Sequence, residues 1–463
     1  MQGTREAPGA AVERVADRIE NAGVRPFLEA LAAALERRRV RYCVLHDWEG
    51  LPERLASDLD MAVHPEDLPA LGGAIREVGD LGYRMVQCLA YAPAAHYFVF
   101  FWPSERGPAS ARLDVITAHW RQGVRVDPAE AMVERTRDHR GFRAPEPAVE
   151  FRYLTAKRVL KGGAPAGKGK RVALLLRELG PAAAEEAVAD LFGKDAARVV
   201  EAAAGNLDQR ARALRSGLLW RNAWQRPHHL AWFWFKDAVR RVRRWLQPTG
   251  LVVAVMGPDG AGKSTFLDNL VRGAAPAFRR VRRYHWRPGV LGSLRAGGDT
   301  ADPHGARADG KWLSAARLLW TALDYQLARL QLRWVTARSG LAVFDRYYYD
   351  ILVDPRRYRY GGPLGLARVL ARTVPKPDLL FVLHAAPETV AARKRELGQA
   401  ELERQLAGYR SVAKRFGGLV IDASGNQEAV AAAGIRHVLG LLERRSQKRS
   451  PAWVREEGEN GNG

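Results

Sequence analysis

The apolar positions of this chain change period several times, and each change marks an element. From Val12 to Arg39, apolar residues recur at helical spacing among Ala, Leu, Glu and Arg, which predicts mostly helix with a break between Gly23 and Pro26. Short β-prone runs follow at Val40–Leu45 and Leu59–Val63. Two more, Ala95–Phe101 and Ala111–Ile116, flank the turn-rich loop Pro103–Pro108 and read as a hairpin, so this first region is a small α+β unit. Between Phe151 and Asn222 the composition is helical, interrupted at 161–169 by a Gly- and Lys-rich connection. Phe235, Val239, Val242 and Leu246 then fall on one face of a helix from Lys236 to Leu246, whose other face carries Arg240, Arg241, Arg243 and Arg244. After Pro248-Thr249-Gly250 the pattern becomes an unbroken apolar run, Leu251–Met256, of strand length.

Length turns these segments into domains, because a single core seldom grows beyond roughly 250 residues and the chain has 463. The divisions are an α+β domain at 1–148, its helical extension at 149–230, a basic linker helix at 231–250, a second domain at 251–445 and a polar, Gly-rich tail at 446–463 read as disordered. No apolar run reaches the roughly 18 to 20 residues of a membrane span, and Glu6, Glu13, Asp17 and Glu20 stand where a signal peptide is apolar, so a cytoplasmic protein is expected. Cys43 and Cys88 alone make neither a disulfide framework nor a four-ligand zinc site. The net charge of +22 attracts polyanions, meaning nucleoside triphosphates, anionic lipid or nucleic acid. With no homeodomain, zinc-finger or RNP-type signature, no specific nucleic acid is expected. The basic helix, with Trp232, Trp234 and Trp245, keeps two readings: a packed linker, or a peripheral anchor at the inner membrane face.

The apolar run leads straight into Gly257-Pro258-Asp259-Gly260-Ala261-Gly262-Lys263-Ser264-Thr265, a complete G-x-x-x-x-G-K-S loop. Its glycines allow successive N–H groups to turn inward on a phosphate, and a helix starting near Lys263 adds the positive end of its dipole. Gly257, Gly260, Ala261, Gly262, Lys263, Ser264 and Thr265 are therefore nucleotide-contact candidates, Lys263 at the β- and γ-phosphates and Ser264 at a magnesium ion. ATP and Mg2+ are the expected cofactors.

The motifs after this loop resemble the thymidylate kinase family in order. Ala342-Val343-Phe344-Asp345-Arg346-Tyr347 is similar to its Asp-Arg-Tyr strand, Lys376-Pro377-Asp378 leads a Pro-Asp strand, Pro387 to Arg395 resembles the helix into a basic lid, and Val420-Ile421-Asp422 the last strand. The resemblance implies an α/β fold, a parallel sheet flanked by helices, with Asp345 near the metal, Arg346 on the acceptor and transferred phosphates, and Asp259 facing an acceptor hydroxyl. Arg393, Lys394, Arg395 and Arg404 are lid candidates, or else a solvated helix face. Met256 replaces the acidic residue that the family usually carries before the loop, and His285-Trp286-Arg287-Pro288-Gly289 replaces its Arg-Glu-Pro turn. The acceptor site is thus altered, with Arg287, Arg356, Arg357 and Tyr347 as its candidates. That turn, with Asp354-Pro355-Arg356-Arg357-Tyr358-Arg359-Tyr360-Gly361-Gly362, resembles thymidylate-kinase-like proteins of exopolysaccharide pathways.

In the first domain, Asp58 and Asp60 alternate along one strand and Asp114 sits on another, a pattern similar to the nucleotidyltransferase fold, in which three carboxylates hold two magnesium ions. The Gly-Ser or Gly-Gly turn of such enzymes is replaced by Leu45-His46-Asp47-Trp48, so an active transferase, a degenerate binding domain and unrelated surface aspartates all stay open. His46, His119, His228 and His229 are assigned no chemistry. The leading expectation is an ATP-dependent phosphotransferase acting on a nucleotide or sugar-derivative acceptor, in the setting of polysaccharide biosynthesis. The alternatives are a genuine thymidylate kinase converting dTMP to dTDP, a membrane-associated nucleotide-binding regulator, and nucleotidyl transfer by the first domain. A homodimer is the open partner alternative.

Overall fold

A computed structural model describes residues 12–13, 23–104, 107–163, 170–292, 310–386 and 399–455. It begins with a two-residue strand β1 (Val12–Glu13), where the sequence pattern had suggested helix, and the first helix is α1 (Val24–Arg37). Gly23, in the left-handed region at φ 91°, sets that helix start two residues before Pro26, which the first turn tolerates because its N–H would be unbonded there. Contacts divide the chain into two units. One holds β1 and residues 244–442, and the other holds α1 through residue 243 together with the chain from Glu443 onward.

In the α1 unit the strands are β2 (Tyr42–Val44) and β3 (Leu59–Val63), then, after α2 (Leu68–Asp80), β4 (Arg84–Ala92), β5 (Ala95–Ser104) and β6 (Gly107–Ile116). They form a sheet in the order β2-β3-β6-β5-β4, with β3 and β6 parallel and Asp60 directly beside Asp114. The expected hairpin is the β5–β6 pair, closing at Ser104 opposite Gly107. One sheet face packs Phe98, Phe100, Leu113 and Val115 against Phe27, Leu28, Leu31 and Leu35 of α1, the i, i+3, i+4 stripe that gave the helix away in sequence. Two small hairpins, β7 (Ala118–Arg121) with β8 (Val124–Pro128) and β9 (Thr136–His139) with β10 (Phe142–Pro145), flank the short helix α3 (Ala129–Val133). The helical region comprises α4 (Pro147–Lys161), α5 (Lys170–Leu179), α6 (Pro181–Phe192), α7 (Ala196–Ala203) and α8 (Leu207–Gln225), around a core that includes Phe151, Leu175, Val188 and Val199.

Helix α9 (Pro227–Leu246) is nine residues longer at its N-terminus than the pattern indicated. Its inward positions are Phe233 and Asp237, both buried, while Phe235, Val239, Val242 and Leu246 are at least half exposed. The helix therefore packs through Phe233 and Asp237, and its apolar stripe is not the packed face. Asp237 wins the inside because Arg240 and Arg241 neutralise it there.

The other unit contains β11 (Leu251–Met256), α10 (Lys263–Ala274), β12 (Arg280–His285), α11 (Lys311–Ala337), β13 (Gly340–Asp345), α12 (Leu364–Ala371), β14 (Leu379–His384), α13 (Gln399–Phe416), β15 (Leu419–Asp422) and α14 (Gln427–Arg449). Strands run β1-β12-β13-β11-β14-β15, parallel throughout except for β1, which lies antiparallel to β12. Helices on a parallel sheet bury its strands on both sides, and β11, β13 and β14 accordingly read as nearly continuous runs of Val, Leu, Ala and Phe.

Of the tail expected to be disordered, 446–455 is ordered, and 456–463 lies outside the described residues. Helix α14 continues to Arg449, and the chain then places Trp453 and Val454 on the core of the α1 unit. Gly72 makes room for this segment: a Cβ there would lie 1.7 Å from the Trp453 carbonyl oxygen. Polarity misled the sequence reading, since two apolar residues among Ser, Lys and Arg suffice to dock the segment.

Candidate functional site

The loop after β11 does what its glycines permit. Gly257, Gly260 and Gly262 have φ of 151°, 82° and 82°, and a Cβ on Gly257 would sit 2.8 Å from the Leu383 carbonyl oxygen of the neighbouring strand. Lys263 opens α10 and is buried, its Nζ donating to the Pro258 carbonyl at 2.7 Å and standing 3.5 Å from Asp259. Burial first, and then the neighbouring Arg346, push its ammonium down to about 8. Ser264 and Thr265 follow on the exposed start of the helix.

Asp259 collects cations from three segments. Arg346, just past β13, and Arg357, from the Asp-Pro-Arg-Arg loop, both donate to its carboxylate, and Lys263 is the third. Burial alone would raise this carboxyl, but Arg346, Lys263 and Arg357 outweigh it and hold it well below the usual range. Arg346 is buried in the left-handed backbone region at φ 71°, tied by its N–H to the Val255 carbonyl at 2.9 Å. Its other guanidinium nitrogen donates to Asp350 at 2.6 Å. Asp350 is fully buried and also accepts from Tyr358 at 2.6 Å and from Tyr409 of α13 at 2.7 Å. Tyr358 stacks on Trp286 with ring centroids 4.3 Å apart, and the turn carrying Trp286 is pinned by the buried Asp324 of α11, which accepts from the N–H groups of Gly289 and Leu291 at 2.9 and 2.8 Å.

The remaining expected residues are distributed unevenly. Asp345 ends β13 beside Val255 with one carboxylate oxygen buried and unpartnered, while its other oxygen is 3.9 Å from His285. A buried carboxylate oxygen without a donor and the hydroxyl at the start of α10 are the donor set a hard divalent ion accepts, so Ser264 and Asp345 fit Mg2+. Tyr347 is corrected from acceptor contact to core: it is fully buried among Tyr325, Phe344 and Tyr349, and its hydroxyl donates to the Pro375 carbonyl. Arg287 folds onto the Gly292 carbonyl at 2.5 Å, and Arg356 is exposed, so neither joins the Asp259 cluster. Arg404 is paired to Glu401. Arg393, with Lys394 and Arg395, lies outside the described residues.

Sequence reasoning missed the buried support of Arg346, namely Asp350, Tyr358 and Tyr409. The only available signal was the spacing of Arg346 and Asp350, four apart with tyrosines between them. In the other unit the three carboxylates are each committed. Asp58 faces Arg112 at 3.6 Å, Asp60 accepts from Lys157 at 2.8 Å and lies 2.6 Å from His46, and both oxygens of Asp114 lie 2.8 Å from the Tyr91 hydroxyl. A lysine ammonium standing where a metal pair would need Asp60 does not fit the two-magnesium arrangement, and His46, assigned no chemistry from sequence, belongs to this cluster.

Compared with known proteins, the chain is 30% identical over 195 residues to a probable thymidylate kinase of Pyrobaculum aerophilum, a match covering 39% of this chain and 92% of the relative. It is 30% identical over 225 residues to the thymidylate kinase of Xanthomonas oryzae pv. oryzae, covering 45% of this chain and 91% of that one. A solved structure of thymidylate kinase from Candida albicans aligns at 13% identity with a TM-score of 0.31, over 42% of this chain and 93% of its own. No family model matches the chain.

The depressed Lys263 predicts a proton uptake. Phosphates entering the loop favour the charged amine, so a site near pH 8 takes up roughly half a proton when ATP binds, and near pH 6, where the amine is already charged, almost none. Calorimetric titration in two buffers of different ionisation enthalpy measures this directly. Equal uptake at both pH values would contradict the assignment to Lys263.

Proposed function

This chain belongs to the thymidylate kinase family, and we propose that its P-loop unit moves the γ-phosphate of ATP onto a phosphate or hydroxyl of a nucleotide or a sugar derivative. The observation that carries the reading is the meeting of Lys263, Arg346 and Arg357 on one loop carboxylate, Asp259. Phosphoryl transfer asks mainly for positioned cations around a dispersed negative charge, and here three are already converged on the strand ends where α/β proteins bind ligands.

The chain's own groups divide the work. The loop N–H groups and the N-terminus of α10 take the phosphates of ATP, with Lys263 turning from the Pro258 carbonyl to the β- and γ-oxygens. Ser264 and Asp345 would hold Mg2+, whose charge neutralises the triphosphate. Arg346 stays fixed by buried Asp350 and presents its other nitrogen to the transferring group. Arg357 has no such buried tie, so it is the cation free to follow an acceptor phosphate, leaving Asp259 to accept from an acceptor hydroxyl. The Trp286–Tyr358 stack beside this cluster suits a planar base or a sugar face.

The altered turn at Trp286-Arg287-Pro288-Gly289 supports an acceptor other than thymidylate, and a role in polysaccharide assembly rests on that turn and the Asp-Pro-Arg-Arg loop. Release of ADP from ATP with dTMP, other nucleoside monophosphates and glucose 1-phosphate tests the reading. Acceptor-dependent release is expected, and Arg357→Ala lowers kcat/KM for the acceptor by about 10- to 100-fold while the KM for ATP changes little. Acceptor-independent hydrolysis, unchanged in that variant, contradicts it. Activity with dTMP alone would make the protein a genuine thymidylate kinase.

A peripheral membrane contact is a second reading, favoured by the exposed stripe of α9. Phe235, Val239, Val242 and Leu246 lie open beside Arg241 and Arg243, a pairing suited to an anionic surface. No helix of the described residues is long and apolar enough to cross a membrane. Pelleting with phosphatidylserine vesicles, lost when Val239 and Val242 are both changed to Glu, is the expected result. If these substitutions instead change only the sedimentation of the protein without vesicles, the stripe serves a homodimer.

A further inference from the structure

The α1 unit contains a pocket of about 980 Å3 that the kinase reading leaves without a role. Its floor is the β3–β6 pair, one wall is α4, and the inward positions Phe233 and Asp237 of α9 close another side. Lys157 Nζ lies 2.8 Å from Asp60, 2.8 Å from His46 Nε2 and 3.0 Å from the Tyr153 hydroxyl. His46 Nε2 reaches the same Asp60 oxygen at 2.6 Å, so two nitrogens compete for one acceptor. Whatever tautomer the imidazole takes, one contact of this trio is unfavourable, either donor against donor or acceptor against acceptor. Lys157 is thus held by a carboxylate that it shares, and it gains from a further anion.

Strand β7 supplies a second cation. Arg121 lines the pocket, its Nε donating to the Leu160 carbonyl at 3.4 Å, and among the described residues no ion pair to a carboxylate is formed by it. The pocket's other arginines are spent: Arg158 is paired with Asp208, Arg171 with Glu150 and Glu49, and Arg241 with Asp237. His119 also lines the pocket, packed at 5.0 Å on Tyr153, and its Nδ1 is buried without a hydrogen-bond partner. A buried orphan nitrogen in a site with an uncommitted guanidinium is the signature of a missing polar ligand. Tyr91, Trp120 and Trp234 line the remaining space, far more than one phosphate ion fills.

We propose that this pocket binds a phosphate monoester without a divalent metal, the phosphate lying between Lys157 and Arg121 and the organic part against the aromatic side chains. The three aspartates then act as the counterweight that positions Lys157 and not as metal ligands: a divalent ion on Asp60 and Asp114 would have to expel Lys157 and break the bond to Tyr91. Such a site needs no P-loop, so it stands or falls separately from the kinase reading.

Calorimetric titration of the full chain carrying Lys263→Met, in EDTA, tests it with inorganic phosphate, glucose 1-phosphate and AMP as probes. Binding of one of the two esters, unchanged when magnesium replaces EDTA and weakened about 10- to 100-fold by Lys157→Gln, is the expected result. Arg121→Gln breaks no ion pair among the described residues and should weaken the same ester about tenfold or more, which keeps the test decisive if Lys157→Gln fails to fold. Preference for glucose 1-phosphate identifies a sugar phosphate, and preference for AMP a nucleotide. No binding of either ester, binding only with magnesium, binding indifferent to Arg121→Gln, or inorganic phosphate bound as well as both esters would overturn the proposal.

Discussion

One carboxylate organises the P-loop unit. Asp259 stands inside the phosphate loop, and the three cations on it come from positions 4, 87 and 98 residues further along the chain. Three buried or half-buried cations would repel one another and lose their hydration without it, a cost that only a close, hydrogen-bonded anion offsets. In the proposed kinase, the arrangement stores cations next to the loop in a form that phosphate oxygens could take over from Asp259. Lys263 shows how finely the balance is set: burial first, and then the neighbouring Arg346, push its ammonium down to about 8.

The scaffold behind Asp259 holds Arg346 and Arg357 differently. Arg346 is gripped from both sides, by Asp259 in the loop and by Asp350 in the core, and Asp350 is in turn held by two tyrosine hydroxyls from separate segments. Such a fully satisfied buried network fixes geometry. Arg357 rides on a surface loop with one tie to the cluster. Under the proposed phosphotransfer, this packing suits Arg346 to the transferred group as the rigid cation and Arg357 to the acceptor as the adaptable one.

Much of this was legible in the sequence, for reasons that can be named. Strand β11 and the loop were plain because a buried parallel strand must be continuously apolar and a phosphate cradle must be glycine-rich; β3, β11 and the β5–β6 hairpin fall where the pattern put them. Asp259, Arg346, Arg357 and Lys263 were all named, and all meet. Tyr347 was misplaced because its motif says nothing about which way a side chain points, and here it packs inward among aromatics. Asp350 and Tyr409, 59 residues apart, were invisible as partners because only folding brings them together. The stripe on α9 was visible, but which side packs was not: this helix buries the ion-paired Asp237 and leaves its apolar side open.

The P-loop unit is proposed to move phosphate to an acceptor, not merely to bind nucleotide. Following γ-labelled ATP with the full chain, magnesium and the best acceptor tests this most directly. Label appearing on the acceptor at a rate that Lys263→Met abolishes and Asp259→Asn strongly reduces is the predicted result. Label released only as inorganic phosphate, or transfer that survives Lys263→Met, would contradict it.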